Sequence, residues 1–272
     1  VPLETRHLAT RLVEKIWGCD TLPAPFSAPA GARIGEIWFE PPEEMPDILV
    51  KYLFTSQKLS VQVHPSDADA LPGEAGKEEC WLVIAAQEDA KLAIGFKKEF
   101  SRHDIERAAV DGSIEEMLMW HPAKEGDIFY LPAGTVHAIG PGVTLVEVQQ
   151  TSSTTFRLYD YGRPRALHLE RAIAVANCSP YSPDLHSNLS ERGQTLIDAP
   201  FFRMDRIEGE PSEATLASHH GPFLILPLSG TVGAKGGQAT IAPGECGLAP
   251  DLVSLDFGAA RETLLISAGV AS

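Results

Sequence analysis

Apolar positions along this chain recur mostly at every second residue or in short unbroken runs. Such runs sit between turn residues: "RIGEIWFE", "ILVKYLFT", "LSVQVHP", "CWLVIAA", "KLAIGFK", "DIFYLPA", "VTLVEVQQ" and "TTFRLYDY". Side chains two apart share a strand face, so each run predicts a strand with at least one buried face. The 21 prolines and 23 glycines are spread between these runs, which is the spacing of an all-β barrel or sandwich. Two stretches break the period. Residues 101–118, "SRHDIERAAVDGSIEEML", predict two short helical segments parted by Gly112, and residues 167–177, "LHLERAIAVAN", predict a helix ending near Asn177. After a loop-rich link, strands resume in "FFRMDRIEG", "FLILPLSG", "ATIAPGECGLAP" and "ETLLISA".

The two β-rich parts share a turn. Gly126 in "EGDIFYLPAG" and Gly244 in "PGECGLAP" are each followed by an acid, and each precedes a proline by six positions. This glycine–acid turn with its following strand is a cupin signature, and it occurs twice. The expected fold is therefore mainly β, with two cupin (jelly-roll) barrels and short helical insertions. Residues 1–165 are expected to form a metal-binding catalytic unit with an N-terminal arm and a small helical insertion near 101–118. Residues 166–194 read as a helix and linker, and 195–272 as a degenerate, cupin-like unit. Laying "FLILPLSG" on "WLVIAAQE" puts Gly221 where Glu79 stands, and Leu255 falls where the first unit has His137. His219 and His220 remain nearby, but adjacent residues on a strand face opposite ways.

Composition narrows the class of partner. Hydrophobic residues make up 44% of the 272 positions, enough for a substantial core. Against 22 basic side chains stand 37 acidic ones, a net charge of −15. That balance argues against nucleic acid and against an anionic membrane surface. A small phosphorylated ligand stays compatible, because a few local basic groups suffice. No apolar run approaches the ~20 residues that span a bilayer. The N-terminal "VPLETRHLATRLVEKIWG" has no basic start followed by an apolar block, so it does not read as a secretory signal. The cysteines at 19, 80, 178 and 246 form no CxxC pair, which fits free thiols in a reducing, cytoplasmic setting.

The chemistry concentrates in the first unit. In "VQVHPSDADA" Gln62 and His64 are two apart, so an extended chain turns both to one face, and Ser60 extends that row. A glutamate, Glu78 or Glu79, opens the apolar strand "CWLVIAA", and His137 follows "LPAGTV". Imidazoles and a carboxylate suit a borderline divalent ion such as zinc, with an amide oxygen as a weaker fourth ligand. Three strong ligands, one weak one and an open position describe a catalytic site rather than a closed structural one.

"LSVQVHPSDADA", "GKEECW", "FYLPAGTVHAIG" and "VEVQQTSSTTFRLYDYGR", with "KIWG" and "IGEIWF" near the start, resemble type I mannose-6-phosphate isomerases, most of all the short bacterial form. The resemblance covers roughly residues 12–175 and continues more loosely to the end. It implies one divalent ion, zinc above others, held by Gln62, His64, Glu79 and His137, and it selects the second glutamate of "GKEEC". The implied reaction interconverts mannose 6-phosphate and fructose 6-phosphate through an enediol. By the same resemblance Arg157 is the active-site arginine, and Lys77 contacts substrate or assists proton transfer. Glu147 is the leading choice for the base, with a water on the metal as competitor. Ser60 and Arg163 match phosphate-contacting positions. The long forms of the family carry a separate helical domain, for which 101–118 is too short. The expected partner is a small phosphorylated sugar, and the expected state a monomer or small homo-oligomer. Two other readings are a metal cupin of another class (an oxygenase or sugar epimerase) and a non-catalytic sugar-binding cupin. The Gln-x-His pair with Arg157 argues against the first, and the intact ligand set, Lys77 and Arg157 against the second.

Overall fold

All eight strand-like runs of the first unit form strands, and they divide between two antiparallel sheets. The computed structural model describes residues 3–237 and 239–269. One sheet has seven strands in the order His186–Asn188, Asp127–Leu131, Glu79–Ala86, Val143–Gln150, Ile48–Phe54, Ile34–Phe39 and Thr10–Cys19. The other has five, in the order Phe156–Tyr159, Val61–Val63, His137–Ile139, Lys91–Phe96 and Leu118–Pro122. Leu53, Trp81, Val83, Phe129 and Leu145 of the larger sheet pack with Leu92, Ile94 and Ile139 of the smaller. The two inner faces thus close on one apolar core, as in a jelly roll.

The second unit repeats the plan on a smaller scale. Its six-stranded sheet runs Arg6–His7, Gly247–Ala249, Phe223–Gly230, Ala260–Ala268, Phe202–Glu208 and Thr195–Asp198. A three-stranded sheet, Thr240–Ile241, Val232–Ala234 and Leu255–Asp256, lies opposite. Phe223, Ile225, Val232, Leu255 and Leu265 fill its interior. The two units share a core. Val50, Tyr52, Phe54, Leu82, Val146 and Val148, on the outer face of the seven-stranded sheet, pack with Phe202, Met204, Leu224, Leu264 and Ile266. Burial on both faces explains why "ILVKYLF" and "CWLVIAA" read as continuous apolar runs instead of alternating ones. The chain also crosses the unit boundaries expected from sequence. Arg6–His7 pairs with Gly247–Ala249 in the second unit, and His186–Asn188, from the link, pairs with Asp127–Leu131 in the first.

Helices Arg102–Asp111, Ile114–Met117 and Leu169–Val175 fall where the sequence places them. Ser101 caps the first by accepting from the Asp104 backbone N–H, and Gly112 ends it in the left-handed region at φ 86°. Ile105, Ala108, Ala109 and Ala172 cover the outer face of the five-stranded sheet through Val61, Val63, Ala93 and Ala138. That sheet is therefore backed by helices, and its inner face carries Gln62 and His137 beside the apolar core. The short helix Glu213–Ser218, capped by Ser212, was not foreseen. It moves His219 from a strand to a helix end, where its Nε2 lies 3.1 Å from Asp205 Oδ2. The alternation expected of His219 and His220 thus does not arise. All four cysteines are free, and among the described residues no helix is long and apolar enough to cross a membrane.

Candidate metal centre

Three strands and one loop bring the predicted ligands together. His137 opens the strand His137–Ile139 directly opposite Gln62 on Val61–Val63. His64 follows that strand, and Glu79 begins Glu79–Ala86 on the facing sheet. His64, Glu79 and His137 are almost wholly buried, and their donor atoms lie within 4.8 Å of one another. His137 Nε2 is 3.4 Å from Glu79 Oε1, His64 Nε2 is 3.5 Å from Glu79 Oε2, and Gln62 Nε2 is 3.2 Å from His137 Nε2. Tetrahedral ligands at zinc-like bond lengths stand about 3.3 Å apart, so these separations already match a four-coordinate ion.

The hydrogen bonds fix which atoms face the centre. His64 Nδ1 lies 2.9 Å from the Thr154 carbonyl and His137 Nδ1 2.9 Å from the Thr135 carbonyl. A carbonyl only accepts, so each Nδ1 carries the proton and each Nε2 offers its lone pair inward. Burial pushes both imidazoles below the ordinary histidine range, His64 well below with the Lys77 charge adding to it. Both are therefore neutral, as metal ligands must be. Burial alone raises the Glu79 carboxyl, but the surrounding groups, Lys77 first and then His137 and Lys51, together outweigh it and hold the group below the ordinary carboxylate range. Glu79 Oε1 is buried and has no hydrogen-bond partner, a costly state that a cation relieves. Lys77 Nζ donates to Glu79 Oε2 at 2.6 Å and lies 3.1 Å from His64 Nε2. Ser60 Oγ donates to Gln62 Oε1 at 3.0 Å. Flipping that amide gives Ser60 an N–H to accept from and turns Oε1 toward His137 Nε2, the orientation a metal requires. The donor set thus fits a divalent cation held by two nitrogens, a carboxylate and an amide oxygen.

Above this floor opens a cavity of about 150 Å³ lined by Gln62 and Glu79, with the two histidines behind them. Ser60, Lys77, Glu147 and Arg157 also line it. Glu147 is buried, with Oε1 lying 3.5 Å from Lys77 Nζ. Arg157 sits opposite Gln62 in the strand pairing. Its Nε is buried without a partner, its Nη1 donates to the Ala166 carbonyl at 3.3 Å, and no carboxylate lies within ion-pair distance among the described residues. A guanidinium without a counter-charge in a cavity wall favours an anionic ligand. Arg163, expected at the phosphate, does not line the cavity. It donates to the Lys58 carbonyl at 2.8 Å and to Gln57 Oε1 at 3.2 Å, and it flanks Asp160. Arg165 lines the cavity instead, held by two hydrogen bonds of 2.6 Å to buried Asp160. Nothing in the loop sequence distinguishes the two arginines. Lys15, Glu36 and Lys51 were also missed. Here a signal existed, since Lys51 interrupts an otherwise apolar central strand, and a lysine there is buried and paired.

One glycine ties the ligand loops together. Gly134, in "LPAGTVH", has φ 84° and donates its N–H to the His64 carbonyl at 2.8 Å. A Cβ there would stand 2.9 Å from the Val175 carbonyl oxygen. Gly134→Ala is expected to destabilise the fold by about 1–3 kcal/mol, read from denaturant unfolding, and to weaken metal retention by shifting His137.

The fold and the site define a cupin-like protein with, among the described residues, one group of side chains fit to hold a metal ion, in the first of two β-units. Its sequence is 37% identical over 192 residues to the mannose-6-phosphate isomerase of Streptococcus mutans, covering 66% of this chain and 60% of the relative. The fold is that of mannose 6-phosphate isomerase from Bacillus subtilis, with a TM-score of 0.77 at 24% identity, covering 97% of this chain and 99% of the other. A zinc-bound mannose 6-phosphate isomerase matches with a TM-score of 0.73 at 13% identity, covering 98% and 100% of the two chains. The chain is thus mannose-6-phosphate isomerase-like in sequence and in fold. It spans about 60% of the length of the curated relatives it matches. No protein-family model matches it.

Proposed function

We propose that the protein is a zinc-dependent aldose–ketose isomerase interconverting mannose 6-phosphate and fructose 6-phosphate. The observation that carries this reading is the His64–Glu79–His137 centre at the floor of a cavity that also presents Glu147, Lys77 and Arg157. The similarity to the Streptococcus mutans enzyme supports the substrate. His64 and His137 through Nε2, Glu79 through its carboxylate and Gln62 through its amide oxygen hold the ion. When bound, the ion supplies Lewis-acid polarisation of the substrate oxygens.

The remaining chemistry belongs to side chains of this chain. The Glu147 carboxylate takes the proton from C2 of the open-chain aldose, and the C–H electron pair becomes the C1–C2 double bond. The carbonyl oxygen gains the negative charge, and the cations Lys77 and Arg157 face it. Passage of the O2 hydroxyl proton to O1, with return of the abstracted proton from Glu147 to C1, puts the carbonyl at C2 and gives the ketose. Ser60 and Arg165 on the cavity wall are the groups best placed for the phosphate, with Arg163 bracing Asp160 behind Arg165. Ser60 also orients Gln62. An oxygenase needs no such proton-shuttling carboxylate between two cations. A non-catalytic sugar-binding protein needs no buried carboxylate with an unpartnered oxygen.

The test is isomerisation of mannose 6-phosphate, followed with measured metal content before and after chelation. Turnover that disappears on metal removal and returns with zinc is expected. No turnover at full metal occupancy overturns the function, and turnover that survives complete removal overturns the mechanism.

A further inference from the structure

Beside the groups used above, the wall of the cavity carries buried charges, Lys51 and Glu36, that the chemistry does not use. Lys51, on Ile48–Phe54, is directly opposite Glu147 in the strand pairing and directly opposite Trp38 on its other side. Its ammonium is buried, 2.8 Å from Glu147 Oε1 and 3.9 Å from Glu36 Oε1. Glu36 is buried in turn, bonded at 2.6 Å by Trp38 Nε1 and 3.4 Å from Lys15 Nζ. Three lysines and three glutamates therefore alternate along one wall: Lys15, Glu36, Lys51, Glu147, Lys77 and Glu79. All six line the same cavity.

A buried ammonium is expensive unless well paired, and a core lysine is easily replaced by an apolar residue of similar volume. Its retention in the middle of an apolar strand asks for a use. Lys51 and Lys77 approach the same Glu147 oxygen, Oε1, from two sides. Two cations on one oxygen fix the carboxylate's rotation about its own axis. Oε1 is sealed from solvent and meets these two ammoniums as ion pairs without a well-aligned hydrogen bond, whereas among the described residues no hydrogen bond engages the second oxygen, Oε2, which is not sealed. Burial opposes the charge on Lys51, but Glu147 and Glu36 outweigh it and hold the group above the ordinary lysine range. Lys51 is thus given over to the two glutamates beside it, whereas Lys77 is shared with Glu79 and His64.

We infer that Lys51 is a positioning residue for Glu147, itself held in place by Glu36. It locks Oε1 of the carboxylate so that Oε2 is presented to the substrate. This rests on the reading of Glu147 as the base. Displacing a positioned base by about 1 Å costs on the order of 100-fold in turnover.

Wild type, Lys51→Met, Glu147→Gln and the double variant are compared for metal content, kcat and KM on mannose 6-phosphate, and by crystallography of the metal-free proteins. Lys51→Met is expected to keep its metal, to hold KM nearly constant and to lose kcat by roughly 10- to 100-fold. Glu36→Gln loses less, in the same direction. In the Glu147→Gln background, Lys51→Met costs no further turnover, because residues acting as a unit are non-additive. In crystals of Lys51→Met the Glu147 carboxylate leaves its place beside Lys77. An additive loss in the double variant, a rise in KM with kcat intact, or an unmoved Glu147 with full turnover each overturns the inference. If Lys51→Met does not fold, Lys51→Arg keeps the charge, changes its geometry and carries the same comparison. A wild type inactive at full metal occupancy removes the isomerase reading. The position of Glu147 in the variant crystals then still decides whether Lys51 holds it.

Discussion

His137→Ala is expected to lose its zinc and, with it, at least roughly 10³ in turnover, since metal stabilisation of a developing oxyanion is worth several kcal/mol. His137 is the residue on which the centre converges. Its Nε2 is 3.4 Å from Glu79 and 3.2 Å from Gln62, its ring stands 4.9 Å from that of His64, and Trp81 packs edge-on against it at 5.3 Å. Removing the imidazole leaves His64 and Glu79 as the strong ligands, below the three that a catalytic zinc site needs. The measurement is metal stoichiometry after gel filtration, together with thermal unfolding. A ligand that binds only the folded state raises its stability by mass action. Wild-type Tm therefore rises on adding zinc, and the variant's Tm does not. A variant that retains one zinc per chain with unchanged affinity would remove His137 from the ligand set.

The β-architecture was legible because its hydrophobic period is strong wherever a strand is buried. "CWLVIAA" and "ILVKYLF" are buried on both faces, and both read as strands without a turn motif to help. The strand Thr10–Cys19 was not legible. It lies at a sheet edge with most of its first half exposed, so its side chains carry little periodic signal. The link segment His186–Asn188 is three polar residues whose pairing with Asp127–Leu131 is set by tertiary contact alone. Nor does local pattern show that Arg6–His7 joins the second unit's sheet, about 240 residues away in sequence.

The ligand set was legible for a different reason. Gln62 and His64 are two apart, so period 2 turns both to one face, whereas the choice of Glu79 over Glu78 rested on the family resemblance, because a strand that opens with two glutamates does not say which one faces inward. The anion-facing wall was not. Arg163 and Arg165 are two apart in the same loop. Their roles part because Asp160 takes Arg165 with two short bonds and Arg163 with a longer one of 3.4 Å, while Arg163 turns to the Lys58 carbonyl and Gln57. The charge row through Lys51 and Glu36 was half legible. Each interrupts an apolar run, but their pairing needs the strand register, which places Lys51 opposite Glu147.

Arg157→Ala is expected to keep its metal and lose about 10²–10³ in kcat, the cost of removing one preorganised donor from a developing oxyanion. Burial and the neighbouring charge of Arg165 pull this guanidinium down from the ordinary arginine range. It tolerates that position without a carboxylate in reach, and its Nε has no partner. Such a group is stabilised when negative charge enters the cavity, which is what transition-state stabilisation requires. Its backbone is held independently of its side chain, through an N–H donated to His168 Nδ1 at 3.1 Å and a carbonyl accepting from the His168 N–H at 2.8 Å. Truncation should therefore leave the strand Phe156–Tyr159 and the opposing Gln62 in place. Arg157→Lys restores charge but not the planar fork, so recovery is expected to be partial. Metal analysis separates this residue from the ligands. Loss of zinc in Arg157→Ala equal to that in His137→Ala would make Arg157 a structural support of the Gln62 strand. Retained zinc with a collapsed kcat and a nearly constant KM places its contribution in the transition state.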